Sequence, residues 1–169
     1  MRRALLGTSV GLAAALTLSG CITVQVNDPN GKPVAEPTKV ECPTAATPGD
    51  KRLELNESNT SYMLTGTCGE VAVSGQDITI SASTIRNLEI SGDRIAVVVQ
   101  SYRTLAISGQ ENSVEAGDGG DATITGDRNT LALTNDLDVL TINGNENTIQ
   151  VEGFIAAVQN NGDRNSGVE

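Results

Sequence analysis

The sequence predicts an all-β fold, a single-domain parallel β-solenoid (β-helix) with 17–18-residue coils. Three observations predict it. A short motif closes on glycine six times, at Gly75, Gly92, Gly109, Gly126, Gly144 and Gly162, with spacings of 17, 17, 17, 18 and 18 residues. Residues four and two before each of the first five glycines are apolar, and those between are polar or small, which makes a strand with one face inward. A second apolar alternation follows each turn. A period this short is too small for separate domains. Each copy is one coil, unable to bury its apolar face until neighbours stack on it.

The 169 residues give room for one domain. Eleven basic residues face 21 acidic ones, with no histidine, for a net charge of −10. Phosphate backbones repel such a surface, so nucleic acid is not an expected partner. Tyr62, Tyr102 and Phe154 are the only aromatic residues, so stacking platforms for sugars or bases are nearly absent.

In chain order, residues 1–20 read as a lipoprotein signal peptide. Met1-Arg2-Arg3 is a charged start, and the apolar run from Ala4 to Leu18 is too short to span a membrane. Leu18-Ser19-Gly20-Cys21 resembles the bacterial lipobox. That resemblance implies acylation of Cys21 and cleavage before it. The mature chain would then lose Arg2 and Arg3, keep 9 basic and 21 acidic residues, and carry a net charge of −12. Residues 21–50 read as a lipidated tether holding all five prolines. Pro43-Thr44-Ala45-Ala46-Thr47-Pro48 resembles O-mannosylated segments of actinobacterial lipoproteins, although an unmodified loop is an equally simple reading.

Residues 51–169 read as the solenoid domain. With Cys21 acylated, Cys42 and Cys68 remain as an even pair, and export permits a disulfide between them. Such a bridge contributes about 3–4 kcal/mol in the loop-entropy model. It is expected to staple a cap over the first coil, because an open sheet edge invites pairing with other chains. Leu53-Glu54-Leu55-Asn56 reads as an irregular first copy, with Asn59-Thr60 standing where later coils carry Asn-Thr or Asn-Ser.

Leu64-Thr65-Gly66-Thr67-Cys68-Gly69, followed by coils of the Val-x-Val-x-Gly-x-x-Asn-Thr type, resembles the actinobacterial domain-of-unknown-function-3060 family of lipoproteins and secreted proteins. The resemblance covers about residues 53–165 and implies a fold and an extracytoplasmic location, with no activity to transfer. Ile78 and Ile95 depart from it where asparagine is usual.

In the regular coils the inward pairs before the turn are Val71/Val73, Leu88/Ile90, Leu105/Ile107, Ala122/Ile124 and Leu140/Ile142. After the turn they are Ile80/Ala82, Val97/Val99, Val114/Ala116, Leu131/Leu133 and Ile149/Val151. A third, less regular side is expected to carry Ile85, Tyr102, Leu137 and Phe154. Three residues past the glycine, Asn112, Asn129, Asn147 and Asn165 predict an amide ladder. Two past it, Asp77, Arg94, Glu111, Arg128, Glu146 and Arg164 alternate in sign, which keeps like charges off adjacent rungs. In the sixth copy Asn160 replaces the inward apolar residue and Gly167 stands in the next apolar position, so residues 158–169 are expected to form a frayed polar cap that keeps the protein monomeric.

The missing histidine excludes the usual Ser/His/Asp and Cys/His arrangements and a zinc site of ordinary type. Asp118, Asp121, Asp136 and Asp138, beside Gly117, Gly119 and Gly120, supply oxygen donors for Ca²⁺ if adjacent coils gather them. A solvated acidic face is the simpler reading. The expectation is a non-enzymatic lipoprotein, held by Cys21 on the outer face of the cytoplasmic membrane, that presents an acidic solenoid surface to an envelope protein or glycan. The alternative is a carbohydrate-binding or carbohydrate-active β-helix.

Overall fold

Alternation around each glycine turns into stacked parallel rungs. A computed structural model describes residues 36–43 and 52–167. Among these the strands are β1 (Thr38–Glu41), β2 (Arg52–Leu55), β3 (Ser61–Thr65), β4 (Thr67–Val73), β5 (Thr79–Ile90), β6 (Ala96–Ile107), β7 (Ser113–Ile124), β8 (Thr130–Leu133), β9 (Leu137–Ile142), β10 (Thr148–Val151) and β11 (Ile155–Asn160). Every strand pairing is parallel. Segments before the turns stack as a leading face in the order β2, β4, β5, β6, β7, β9, β11. Segments after the turns stack as a trailing face in the order β1, β3, β5, β6, β7, β8, β10. The fold is an all-β parallel solenoid.

The core consists of the predicted columns. Val71, Leu88, Leu105, Ala122 and Leu140 are buried in one, and Val73, Ile90, Ile107, Ile124 and Ile142 in the next. Ile80, Val97, Val114, Leu131 and Ile149 form the opposing column. On the narrow third side the register runs Ile85, Tyr102, Gly119, Leu137, Ile155. Phe154, expected in that column, is 69 % exposed, and Ile155 takes its place. The ring of Tyr102 fills the space that Gly119 vacates, since a Cβ on Gly119 would lie 2.5 Å from the Tyr102 hydroxyl oxygen.

Coil length decides how the third side is crossed. In the 17-residue coils β5, β6 and β7 run unbroken for 12 residues and serve both faces. The 18-residue step from Gly126 to Gly144 places its extra residue at 134–136, where Ala116 is still opposite Leu133 but Gly119 is opposite Leu137. The strand breaks there into β8 and β9, and the loop is pinned by Asn135 N–H donating to Gly117 O at 3.0 Å and Gly119 N–H to Asp136 O at 3.1 Å.

The N-terminal end is stapled. Cys42 and Cys68 are disulfide-bonded, both buried, with Cα atoms 4.9 Å apart. The bridge fixes the end of β1, which pairs with β3 and covers the edge of the trailing face. Thr38–Glu41 is thus part of the solenoid, although the sequence places it in the tether. Asn59 is also one position away from its expected column. It shares the left-handed turn position of Asp77, and Thr60 lies where the ladder asparagines come later. At the other end, β11 pairs with β9, and Thr148 bridges Ser166, so residues 158–167 are a hydrogen-bonded coil rather than a frayed one. The signal peptide, Cys21 and most of the tether lie outside the described residues.

Candidate functional site

The turn corner holds the most regular chemistry, and its geometry assigns the roles. The repeating glycines do not take a left-handed conformation. They are needed for close approach, because a Cβ on Gly109, Gly126, Gly144 or Gly162 would lie 1.7–1.8 Å from the preceding glycine's carbonyl oxygen. The left-handed position is two residues later. Asn59, Asp77, Arg94, Glu111, Arg128, Glu146 and Arg164 all have φ between 53° and 58°. Five of these seven are arginines or glutamates, which seldom adopt that conformation, so stacking overrides local preference here.

The asparagine ladder reaches back one coil at each step. The Oδ1 atoms of Asn112, Asn129, Asn147 and Asn165 accept from the backbone N–H groups of Ile95, Asn112, Asn129 and Asn147 at 2.8–2.9 Å. Their Nδ2 groups donate to the carbonyls of Gly92, Gly109, Gly126 and Gly144 at 2.9–3.1 Å. Asn112, Asn129 and Asn147 are fully buried, and each satisfies a backbone donor and acceptor that would otherwise be orphaned. One column over, capping runs forward. Asp93 accepts from Gln110 N–H at 2.9 Å, and Asp127 from Asn145 N–H at 2.7 Å.

The alternating charges resolve into three separate pairs. Arg94 holds both Asp77 carboxylate oxygens at 2.8 Å, Arg128 meets Glu111 at 3.3 Å, and Arg164 meets Glu146 at 2.6 Å. Each arginine points to the coil before it. The hydrogen bonds from Arg94 hold the Asp77 carboxyl below the usual carboxylate range. All six side chains are largely solvated, so the pairs fix register more than they add stability.

The leading face carries a shallow groove of about 320 Å³ across four rungs, lined by Glu70, Asn87, Glu89, Thr104, Asp121 and Thr123. Its dip comes from Ala106, which stands between Glu89 and Thr123 in one outward column. Thr104 Oγ1 donates to Asn87 Oδ1 at 2.9 Å. Arg52 closes the N-terminal end, bridging Glu70 at 2.5 Å and Glu89 at 2.7 Å, and these bonds raise its own pKa. Hydroxyls, an amide and carboxylates in a row suit hydroxyl-rich ligands. Sequence reasoning missed this groove, because its lining changes residue type from rung to rung (Glu70, Asn87, Thr104, Asp121) and so makes no motif.

The four aspartates proposed for Ca²⁺ are not gathered. Asp121 faces Val139 across the rungs, so Asp138 is one residue out of its column. Asp136 Oδ1 already accepts from Phe154 N–H at 2.9 Å. Among the described residues no group of three or more acidic, cysteine or histidine side chains is placed to hold a metal ion. Comparison with protein-family models, curated proteins and solved structures finds no match to this chain.

Proposed function

We propose that the chain is a non-enzymatic cell-envelope lipoprotein, anchored through Cys21 on the outer face of the cytoplasmic membrane, whose rigid acidic solenoid binds a partner protein or glycan. The resemblance to the domain-of-unknown-function-3060 family and the actinobacterial origin are part of this proposal. Its main support is where the polar chemistry goes. The ladder asparagines and three of the arginines are committed to neighbouring coils, whereas the groove on the leading face gathers hydroxyl, amide and carboxylate side chains from four rungs that an outside ligand can reach. A carbohydrate ligand is favoured second by the hydroxyl and amide lining at Asn87, Thr104 and Thr123.

Two experiments test the reading. Mass spectrometry of the membrane fraction should find Cys21 acylated, and Cys21→Ala should abolish acylation and stop cleavage before that residue; an unacylated wild type overturns the anchor. Crosslinking capture on intact cells should recover a partner with the wild type and lose it with Ala106→Arg, which fills the groove from an exposed position. Capture unchanged by that substitution overturns the groove.

A further inference from the structure

Four of the six described arginines are ion-paired, namely Arg52, Arg94, Arg128 and Arg164. Arg86 and Arg103 are exposed and pair with no described carboxylate. The register sets them side by side. Ile85 lies opposite Tyr102 and Asn87 opposite Thr104, so Arg86 and Arg103 occupy one outward column on adjacent rungs, ~4.8 Å apart along the stack. The same reasoning puts Gly69 before them in that column and Gly120 after them. The two guanidiniums therefore stand without side-chain neighbours above or below. A stacked like-charge pair is unfavourable on its own, and at the turn corner this chain alternates its charges from rung to rung.

The column borders the groove. Asn87, Thr104 and Asp121, the next residues after Arg86, Arg103 and Gly120, line it. We infer that Arg86 and Arg103 form an oxyanion seat at the rim of the groove, and that its ligand is a saccharide bearing one carboxylate or phosphate. The oxyanion bridges the two guanidiniums, each of which offers paired donors in a planar fork. The neutral part of the sugar lies over Asn87 and Thr104, whose amide and hydroxyl match sugar hydroxyls. Asp118, Asp121 and Asp138 on the following rungs repel a second negative charge, so the seat takes an isolated anionic group and rejects a polyanion.

This inference deepens the proposed groove and stands or falls separately from the anchor. Binding is followed through backbone amide shifts of the full chain, titrated with a tetrasaccharide carrying one glucuronate and with its carboxyl-reduced neutral counterpart. The expected result is saturable shifts at Asn87, Thr104 and Gly120 with the acidic sugar, and a loss of affinity of about ten-fold or more with the neutral one. Arg86→Ala with Arg103→Ala should abolish the difference between the two sugars, and the double Lys variant should recover only part of it, because a point charge lacks the fork. Removing the pair should leave the melting temperature unchanged or raised, since a repulsion disappears. Equal binding of both sugars, acidic-sugar binding indifferent to the Arg86 and Arg103 substitutions, or no binding of the acidic sugar each overturns the inference. Arginine-dependent pelleting with phosphatidylglycerol vesicles, absent with the acidic sugar, would reassign the seat to a lipid headgroup and equally overturn it. Partner capture that survives the double Ala variant leaves the envelope-binding proposal intact.

Discussion

Asn129 and Gly109 are joined across one coil, with the Asn129 side-chain amide donating to the Gly109 carbonyl at 3.0 Å. The same side chain accepts from Asn112 N–H at 2.9 Å, so one buried residue satisfies two backbone groups of the coil before it. Asn129→Ala leaves both groups unpaired in the interior and should cost about 2–5 kcal/mol in denaturant unfolding. Asn129→Ile should cost less, because Ile78 and Ile95 already occupy this column and fill its space. The ladder explanation fails if Asn129→Ile costs nothing, since isoleucine fills the space but leaves the same two backbone groups unpaired.

The glycine and left-handed columns should respond to substitution in opposite senses. Gly126→Ala pushes a Cβ to 1.8 Å from the Gly109 carbonyl oxygen, backbone against backbone, and should cost about 4 kcal/mol or more, or prevent folding. Glu111→Gly sits at φ 57°, where glycine relieves strain, and should leave stability within about 1 kcal/mol of the parent. Thermal unfolding of the two variants is the measurement. A mild Gly126→Ala would overturn the close-approach role.

Much of the fold was legible because burial repeats with the glycine. Pairs such as Leu105/Ile107 and Leu131/Leu133 lie two residues apart in strands, and a count from the nearest turn places them without error. The errors fall where that count drifts. An extra residue at 134–136 shifts everything after it on the third side by one, which parted Asp121 from Asp138 and put Ile155 in place of Phe154. Asn59 leaves its expected column for a related reason, since asparagine suits both the ladder and the left-handed position and only the pairing tells them apart. The groove and the Arg86–Arg103 pair involve no motif. They exist only once register sets residues 17 apart on adjacent rungs.

Tyr102 is 4 % exposed, and its hydroxyl has no hydrogen-bonding partner among the described residues. Tyr102→Phe should therefore stabilise the protein by about 1–2 kcal/mol, by removing an orphaned polar group at no cost in packing. Burial raises the Tyr102 pKa above the ordinary tyrosine value. With the folded pKa raised by burial, this phenol leaves stability independent of pH below the unfolded pKa of about 10 and lowers it as pH rises beyond that value. The Phe variant should lack this part of the alkaline loss. Urea midpoints at neutral and alkaline pH for both proteins decide the matter, and a destabilised Phe variant would mean the hydroxyl is satisfied.

Asp77 gives the opposite limb. Its carboxyl is held low by the two hydrogen bonds from Arg94, so the stability it contributes is present above the unfolded aspartate pKa and is lost as pH falls through the lower folded value. Carboxyl-detected titration should place Asp77 below the ordinary aspartate range in the parent and return it there in Arg94→Gln. An Asp77 midpoint that does not move on losing Arg94 would show that the pair is not formed in solution.

The sixth coil breaks the apolar pattern of the coils before it. Asn160 lies opposite Ile142 in an inward column that is apolar in every coil before it. Its Oδ1 accepts from Asn165 Nδ2 at 2.9 Å and from Gly162 N–H at 3.2 Å, tying the end of β11 into the asparagine ladder. Val158 is 42 % exposed in the neighbouring apolar column, so the coil pairs on one side and is polar at the position where a further rung would stack. Asn160→Ile removes that polar block and sets an isoleucine beside Val158. Concentration-dependent sedimentation should then reveal association through the β11 edge, whereas the parent stays monomeric over the same range. Gly167→Val is not a usable companion change. Gly167 has φ 74°, and a Cβ there would lie 1.8 Å from the Ile149 carbonyl oxygen, so the variant should lose the Ser166–Thr148 bridge instead of extending the core. The capping role of Asn160 is refuted if Asn160→Ile remains folded, as judged by circular dichroism, and sediments as the parent does.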